Sequence, residues 1–538
     1  MEYLESSERE ESALLPVDAA AVQEEQLHVL EGTAAVQDDM LETLRGLLAH
    51  RSVEEPASGD MPFGSGVHDA LLYMLQKGKE AGFEIKNIEN YAGHIEFVAA
   101  PVEAAEAEAE GEAETTETAE DEATAAETAT ATAAEDEAAE AAKTAAEIVG
   151  ILVHLDVVPA GDGWDFPPFD GVLSDGKIYG RGAIDNKGPT VAALYAMKAL
   201  RDGGFVPKRK IRLILGLDEE TNWKSLDKYF EQEEKPTLGF APDAVFPAIR
   251  GEMGILVFEL AGKMGRDLAK GLKLRSFKGG SAANMVADRA RVVLFHDKPA
   301  AYEKIKERVA SYQKKTGHRM RTKRTGKCLE ITAQGISAHG SRPQLGLSAI
   351  SVMMDFLGGL TFSSEDINDF IAFFNKHIGF QLDGAGLGCA LSDAASGALI
   401  FSAGLIDMNA EAARLTVNIR YPVSLCEEAV YSAMAETVNH YNLGIIKRLH
   451  HPPIYFPQDD PLVGMLVDVY RAHTGDAEGE AVVIGGGTFA RAAENLVAFG
   501  PVLPGETDIA HQKNEYISVE RMALLVRIYA DAIRRLAG

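Results

Sequence analysis

The sequence predicts an α/β fold, with a central, mostly parallel sheet and a second α/β domain inserted into the first. Three observations carry this prediction. Two apolar, β-branched runs, "EIVGILVHLDVV" (147–158) and "KIRLILGL" (210–217), flank a helical segment, "GPTVAALYAMKAL" (188–200). Strand, helix, strand with apolar strands is the pattern of a parallel sheet covered on both faces. From about 252 to 450 the texture changes to strand-like runs and helices of a different spacing, and a Pro-rich strand and a helix then resume the chain. Finally, 538 residues suffice for two or more domains with a sizeable core.

The elements follow in order. Ala70, Leu71, Met74 and Leu75 recur at helical spacing within 66–83, and "HIEFVAA" (94–100) reads as a strand. In the helix over 188–200, Pro189 sits in the first turn, where a missing N–H costs nothing. The inserted domain contributes the strands "GILVFELAG", "RARVVLF", "CLEITAQG" and "RLTVNIRYPV". It also contributes the helices "GLSAISVMMDFLGGL" and "EEAVYSAMAETVNHY". The expected division is 1–251 with 452–538 for the first domain and 252–451 for the inserted one. His450-His451, followed by Pro452-Pro453, are expected to mark the return to the first domain.

Composition excludes several classes. No apolar run approaches the roughly 18 residues of a membrane span. The acidic start "MEYLESSEREES" lacks the basic and apolar regions of a secretion signal. Cys328, Cys389 and Cys426 are far apart and odd in number, which fits reduced thiols and a cytoplasmic location. The net charge is -30, but residues 101–146 hold 15 acidic residues against one lysine, and so account for nearly half of it. That Ala/Glu/Thr tract has no aromatic residue and cannot bury enough apolar surface to offset its ordering entropy. It is expected to be a disordered insertion. The rest of the chain is still acidic, which argues against nucleic acid as a partner. The basic run at 314–327 lacks interleaved aromatics and reads as a solvated hairpin or loop.

The candidate chemistry gathers at strand ends. In "VHLDVVP", His154 and Asp156 stand at i and i+2, so a strand turns both to one face. Ligands of open α/β sheets bind at such strand ends. A metal-binding imidazole usually has a carboxylate on its other nitrogen. "GRGAIDNKGPT" carries Asp185 at a helix start after a glycine turn, where an N-cap is the plain alternative. "LDEETNW" supplies Glu219 and Glu220 at a second strand end, "APDAVFP" supplies Asp243, and "DIAHQKNE" supplies His511. Asp218 has no assignable role beyond the turn. The set is all nitrogen and oxygen, without cysteine, and suits two divalent ions.

The motifs HLDVVPAGDGW, GRGAIDNKG, LDEETNW, PDAVFP, ISAHGSRP, GGGTFAR and HQKNE occur in one order. In this the chain resembles the co-catalytic di-zinc metallopeptidase family that includes aminoacylases and carboxypeptidases. Within that family it is most similar to the PepV-type, carnosinase-like dipeptidases. The resemblance implies a di-metal catalytic domain and a lid. It implies that His154 and Asp243 bind one ion, that Glu220 and His511 bind the other, and that Asp185 bridges them with a cis peptide to Asn186. Zinc is the expected ion, with manganese or cobalt as alternatives. Asp156 would orient His154, and Glu219 would be the general base acting on a metal-bridged water. His339 in the lid would reach the oxyanion. Asn284, Arg420 and Gly487 would bind substrate, Arg420 through a free C-terminal carboxylate. The lid is about double the length seen in related dimeric deacylases, which implies a monomer with a doubled lid. The implied activity is hydrolysis of short peptides, Xaa-His or β-alanyl types among them. An N-acyl-amino-acid amidohydrolase shares every ligand, and a scaffold protein using the acidic tract is a third reading.

Overall fold

The structure, a computed structural model, describes residues 37–98, 143–266, 270–507 and 509–538. The start of the chain and nearly all of the 101–146 tract lie outside the described residues. Residues 143–146, which end that tract, form a short helical turn. Among the described residues no helix is long and apolar enough to cross a membrane. The chain divides into two compact units: Met1–Ala248 with Gly464–Glu480 and Thr488–Gly538, and Ile249–Val463 with Ala481–Gly487.

The first unit is built on strands β1 (Glu84–Ile88), β2 (Ala92–Phe97), β3 (Ile148–His154), β4 (Lys210–Gly216) and β5 (Leu238–Ala241). Their order is β1-β2-β4-β3-β5, and Leu496–Ala498 adds beyond β5. β4 and β5 flank β3 in parallel, and Leu496–Ala498 is parallel to β5. The β1 and β2 pairings are antiparallel. The centre is thus parallel, as predicted, with an antiparallel edge. Helices α1 (Gln37–Ala49), α2 (Ser65–Glu80), α3 (Lys187–Asp202) and α4 (Lys224–Phe230) accompany it.

Every residue of β3 is buried. Helix α3 and the C-terminal helix Val519–Ala537 pack on each other and on β3, while α2 and α4 reach β2. Each buried Val, Leu or Ile contributes roughly 1.5–3 kcal/mol, and apart from Lys210 and Arg212 at the start of β4 and His154 at the end of β3 the two strands are apolar. The β3–β4 register runs from Ile148↔Lys210 to His154↔Gly216, so both strands end at one level. β5 ends two residues before Asp243. Three carboxyl-terminal strand ends therefore converge, which is where an open parallel sheet offers a site.

The second unit contains β6 (Gly254–Lys263), β7 (Leu272–Gly279), β8 (Arg289–His296), β9 (Arg319–Thr325) and β10 (Cys328–Gln334). It continues with β11 (Ile400–Met408), β12 (Ala412–Tyr421) and β13 (Gly444–His451). These form one antiparallel sheet of order β9-β10-β8-β7-β11-β12-β6-β13. The central β7–β11 contact is short, Phe277–Gly279 against Met408–Ile406. On either side of it lie four strands, a division that fits the expected doubling.

Two expectations are corrected here. The boundaries fall at 248/249 and 463/464 rather than 251/252 and 451/452. The reason is a small ladder: Ile249–Glu252 pairs with Ile454–Tyr455 and with Val482–Ile484, which keeps all three segments in the second unit. His450 and His451 do not mark the return, because they lie on β13, with His450 Nε2 2.8 Å from the Tyr421 hydroxyl. The basic run 314–327 forms the end of a helix and the β9–β10 hairpin.

Candidate metal centre

His154 is the last residue of β3, and its ring is buried. Its Nδ1 lies 3.0 Å from the Asp156 carbonyl and 3.4 Å from Asp156 Oδ1. Its Nε2 lies 3.0 Å from Asp185 Oδ1 and 3.8 Å from Asp243 Oδ2. One nitrogen is thus occupied by the orienting residue and the other faces two carboxylates. Asp185 precedes α3, and its peptide to Asn186 is cis, as the resemblance implies. The Asn186 side chain donates to the Pro242 carbonyl at 2.6 Å and to Asp243 Oδ1 at 3.3 Å, joining this turn to the end of β5. Gly182, at φ 89°, supplies the left-handed residue this turn requires.

His511 approaches from the C-terminal segment. Its Nε2 is 3.0 Å from Asp185 Oδ2 and 2.8 Å from Glu220 Oε1. Each oxygen of Asp185 therefore meets a different imidazole, with Asp243 on the His154 side and Glu220 on the His511 side. Glu219 joins His154 and Asp243 in a second donor group, whose candidate atoms all lie within 4.8 Å of one another; His154, Asp185 and Glu220 form the other.

The charges do not balance within the protein. Burial, and then the charge of Asp243, push Glu219 well above the ordinary carboxylate range. Burial, and then the charge of Asp185, raise Glu220. Burial, against the pull of His154, pushes Asp243 up to about 7. Burial opposes a proton on His511, but Glu220 and Asp185 outweigh it and take that imidazole up to about 11. His154 is raised in the same way, burial being outweighed by Asp156, Asp185 and Asp243. Asp185 is held below the usual range because its two histidine partners outweigh burial. Carboxylates driven to take up protons, and histidines driven to keep them, mark a cluster short of positive charge. Converging Nε2 and carboxylate oxygens are the donors a divalent ion takes, so the residues fit two such ions.

Four supporting residues were not anticipated in these roles. Asp156 orients more than His154: its Oδ1 accepts from Glu219 N at 3.1 Å and its Oδ2 from Glu220 N at 3.0 Å. Asp218 is buried and accepts from Lys224 N (2.8 Å) and Ser225 N (3.0 Å), holding the start of α4. Its carbonyl accepts from Thr221, Asn222 and Trp223, so it shapes the loop that carries both glutamates. Glu515 and Arg181 form a buried pair at 2.5 Å. Burial pushes the Glu515 carboxyl up to about 7 against the opposing pull of Arg181. "GRG" and "HQKNE" contained both residues, but their partners are largely backbone groups, which leave no mark in a sequence.

In the second unit the expected lid residues form their own group. His339 Nδ1 is 2.6 Å from Ser341 Oγ. Met285 and His339 form a β-bridge, and Gly340 N donates to the Asn284 carbonyl at 2.6 Å, so Asn284 and His339 are neighbours. Arg420 is buried on β12. A side chain at Gly485 would meet Ser341 Cβ at 3.4 Å and Arg420 Cγ at 3.7 Å, so Gly485 links these two groups. Gly487 closes the same segment of that unit.

Residues 150–535 match the family model described as "Peptidase family M20/M25/M40". A curated relative from Staphylococcus haemolyticus, described as a "Putative dipeptidase", is 33% identical over 500 residues, covering 91% of this chain and 95% of the relative. One from Staphylococcus aureus (strain MRSA252) with the same description is 34% identical over 498 residues, with the same coverage. The solved structure of human carnosine dipeptidase 1 aligns at TM-score 0.50 and 14% identity, over 95% of this chain and 99% of that one. The di-peptidase Dug1p of Saccharomyces cerevisiae aligns at 0.51 and 12%, over 95% and 98%. These two share the fold.

Proposed function

The chain belongs to peptidase family M20/M25/M40 and is a metallopeptidase, and we propose that it is a dipeptidase acting on short peptides with a free C-terminal carboxylate. The observation that carries the reading is the pair of imidazoles facing the two oxygens of one aspartate, with a further carboxylate on each side. His154 and Asp243 would hold one divalent ion, Glu220 and His511 a second, and Asp185 both. Zinc is the first choice; manganese and cobalt take the same donors. Bound there, two such ions would lower the pKa of water and polarise the scissile carbonyl.

The residues do the rest. Glu219 takes a proton from the attacking water and hands it to the leaving amine. Asp156 holds the His154 ring and the backbone of both glutamates. His339 donates to the oxyanion. Asn284 and Gly487 contact the peptide, and Arg420 binds its terminal carboxylate through two parallel N–H bonds. The doubled second unit supports action as a monomer, and three free cysteines support a reducing, cytoplasmic location.

An N-acyl-amino-acid amidohydrolase would use the same ions and the same base. The separating experiment is a substrate panel on metal-stripped protein reconstituted with Zn²⁺, Mn²⁺ or Co²⁺ in turn. Dipeptides, including Xaa-His and β-alanyl types, are expected to show the higher kcat/KM. N-succinyl or N-acetyl amino acids as the better substrates would overturn the assignment.

A further inference from the structure

Glu515 and Arg181 are fully buried, yet neither is a donor to the candidate ions. Their 2.5 Å pair, Nη1 to Oε2, occupies one side of each group. The other side of each is spent on backbone. Glu515 Oε1 accepts from the N–H of Ile184 at 2.9 Å and of Asp185 at 3.2 Å. Arg181 Nη2 donates to the carbonyl of His511 at 3.1 Å. The pair therefore grips the main chain at the aspartate shared by both ion positions and at the histidine of one of them.

Regular structure leads up to this point and then stops. Tyr516↔Tyr179, Ile517↔Ile178 and Ser518↔Lys177 pair as antiparallel strands. Gly180 N then donates to the Glu515 carbonyl at 2.9 Å, after which both segments leave the ladder. His511 lies beyond it, in a left-handed conformation at φ 62°, uncommon for non-glycine residues although histidine adopts it more often than most. The Arg181 guanidinium is also held in place, 5.4 Å from the centre of the Trp164 ring. A buried ion pair is a poor means of gaining stability, since well-packed apolar residues of the same volume usually do as well. A fork with fixed geometry is a good means of setting the spacing between two loops.

We propose that Arg181 and Glu515 are positioning residues that fix the His511 loop against the Asp185 turn, and so set the affinity of the ion held by His511 and Glu220. This rests on the di-metal reading above. The His154–Asp243 side has its own supports in Asp156 and Asn186, so it is expected to be insensitive to this pair.

Metal binding decides the matter without turnover. Zn²⁺ and Co²⁺ are titrated calorimetrically into metal-stripped wild type, Arg181→Met, Glu515→Gln and His511→Ala, with Co²⁺ absorption recorded alongside. Wild type is expected to take two ions; fewer than two would sink the di-metal reading itself. Arg181→Met is expected to weaken one ion at least tenfold and leave the other within threefold. The ion it retains should match, in affinity and spectrum, the one retained by His511→Ala. Adding Arg181→Met to His511→Ala should cost the remaining ion nothing, because both changes act on the same site. Two ions bound as in wild type, or both weakened equally in protein with an unchanged unfolding midpoint, would overturn the proposal. Glu515→Gln preserves volume and both backbone bonds at Oε1 but removes the charge and sets an amide N–H against Arg181 Nη1, so it gives the same reading should Arg181→Met not fold.

Discussion

Asp156→Asn tests how much of the centre hangs on one carboxylate. Asp156 is buried, and its two oxygens accept from two consecutive backbone N–H groups, Glu219 at 3.1 Å and Glu220 at 3.0 Å. Oδ1 also stands 3.4 Å from His154 Nδ1. A carboxylate can accept on both sides, whereas a carboxamide accepts on one and presents N–H on the other. The substitution thus sets an amide N–H against the N–H of either Glu219 or Glu220. A hydrogen bond to a charged group contributes about 1.5–3 kcal/mol, and a buried donor left without an acceptor costs about 1–3 kcal/mol. The two overlap, so a net loss of about 2–4 kcal/mol is expected, or roughly 30- to 1000-fold in rate if it falls on the transition state. Because the damage is to the placement of Glu219, kcat should fall more than KM rises. The assay is steady-state hydrolysis of the preferred dipeptide by metal-saturated protein, with metal content and thermal unfolding measured on the same sample. A kcat/KM within threefold of wild type, with both ions bound, would refute the reasoning.

Adjacent glutamates should respond differently. Glu219→Gln is expected to keep both ions and lose about 10²–10⁴-fold in kcat, whereas Glu220→Gln should lose one ion by elemental analysis. Near-normal turnover in the first or full occupancy in the second would reverse their roles. His94, buried against the Tyr229 hydroxyl at 2.7 Å, is lowered to about 4, chiefly by burial and then by Arg212. Its folded pKa lies below its unfolded value of 6.5. The stability it contributes is therefore complete above pH 6.5 and is lost as pH falls toward 4, by roughly 3 kcal/mol. Urea unfolding across that range should show the slope, and His94→Asn should flatten it; an unchanged slope would exclude His94 as its source. Finally, relief of repulsion among the centre's carboxylates should appear as stability. Saturating Zn²⁺ at about 100 Kd should add roughly 2.7 kcal/mol per site, read as a concentration-dependent rise in Tm that chelator reverses.

The parallel core was legible because β3 up to His154 and β4 beyond Arg212 are apolar runs, and a strand covered on both faces tolerates that. The candidate donors were legible because few residue types bind metal and those present fell at predicted strand ends and turns. Asp218, Arg181 and Glu515 were not legible as supports. Each acts on main-chain N–H or C=O groups, and any residue supplies those. The domain boundaries were missed, by three residues at the first and twelve at the second, because the ladder of Ile249–Glu252 with two short, distant segments has no periodicity long enough to read.

Asp218, Glu219 and Glu220 show where the division falls. The resemblance carried by "LDEETNW" already implied separate tasks for the two glutamates, one as base and one as ion donor. Only the fold decided what makes those tasks compatible. It set Asp156 beneath both glutamate N–H groups, Asp218 under the start of the next helix, and His511 opposite Glu220. The sequence by itself determined the kinds of donor and the strands that deliver them. The tertiary structure determined which oxygen faces which nitrogen, because that depends on the register of parallel strands and on contacts between segments remote in the chain.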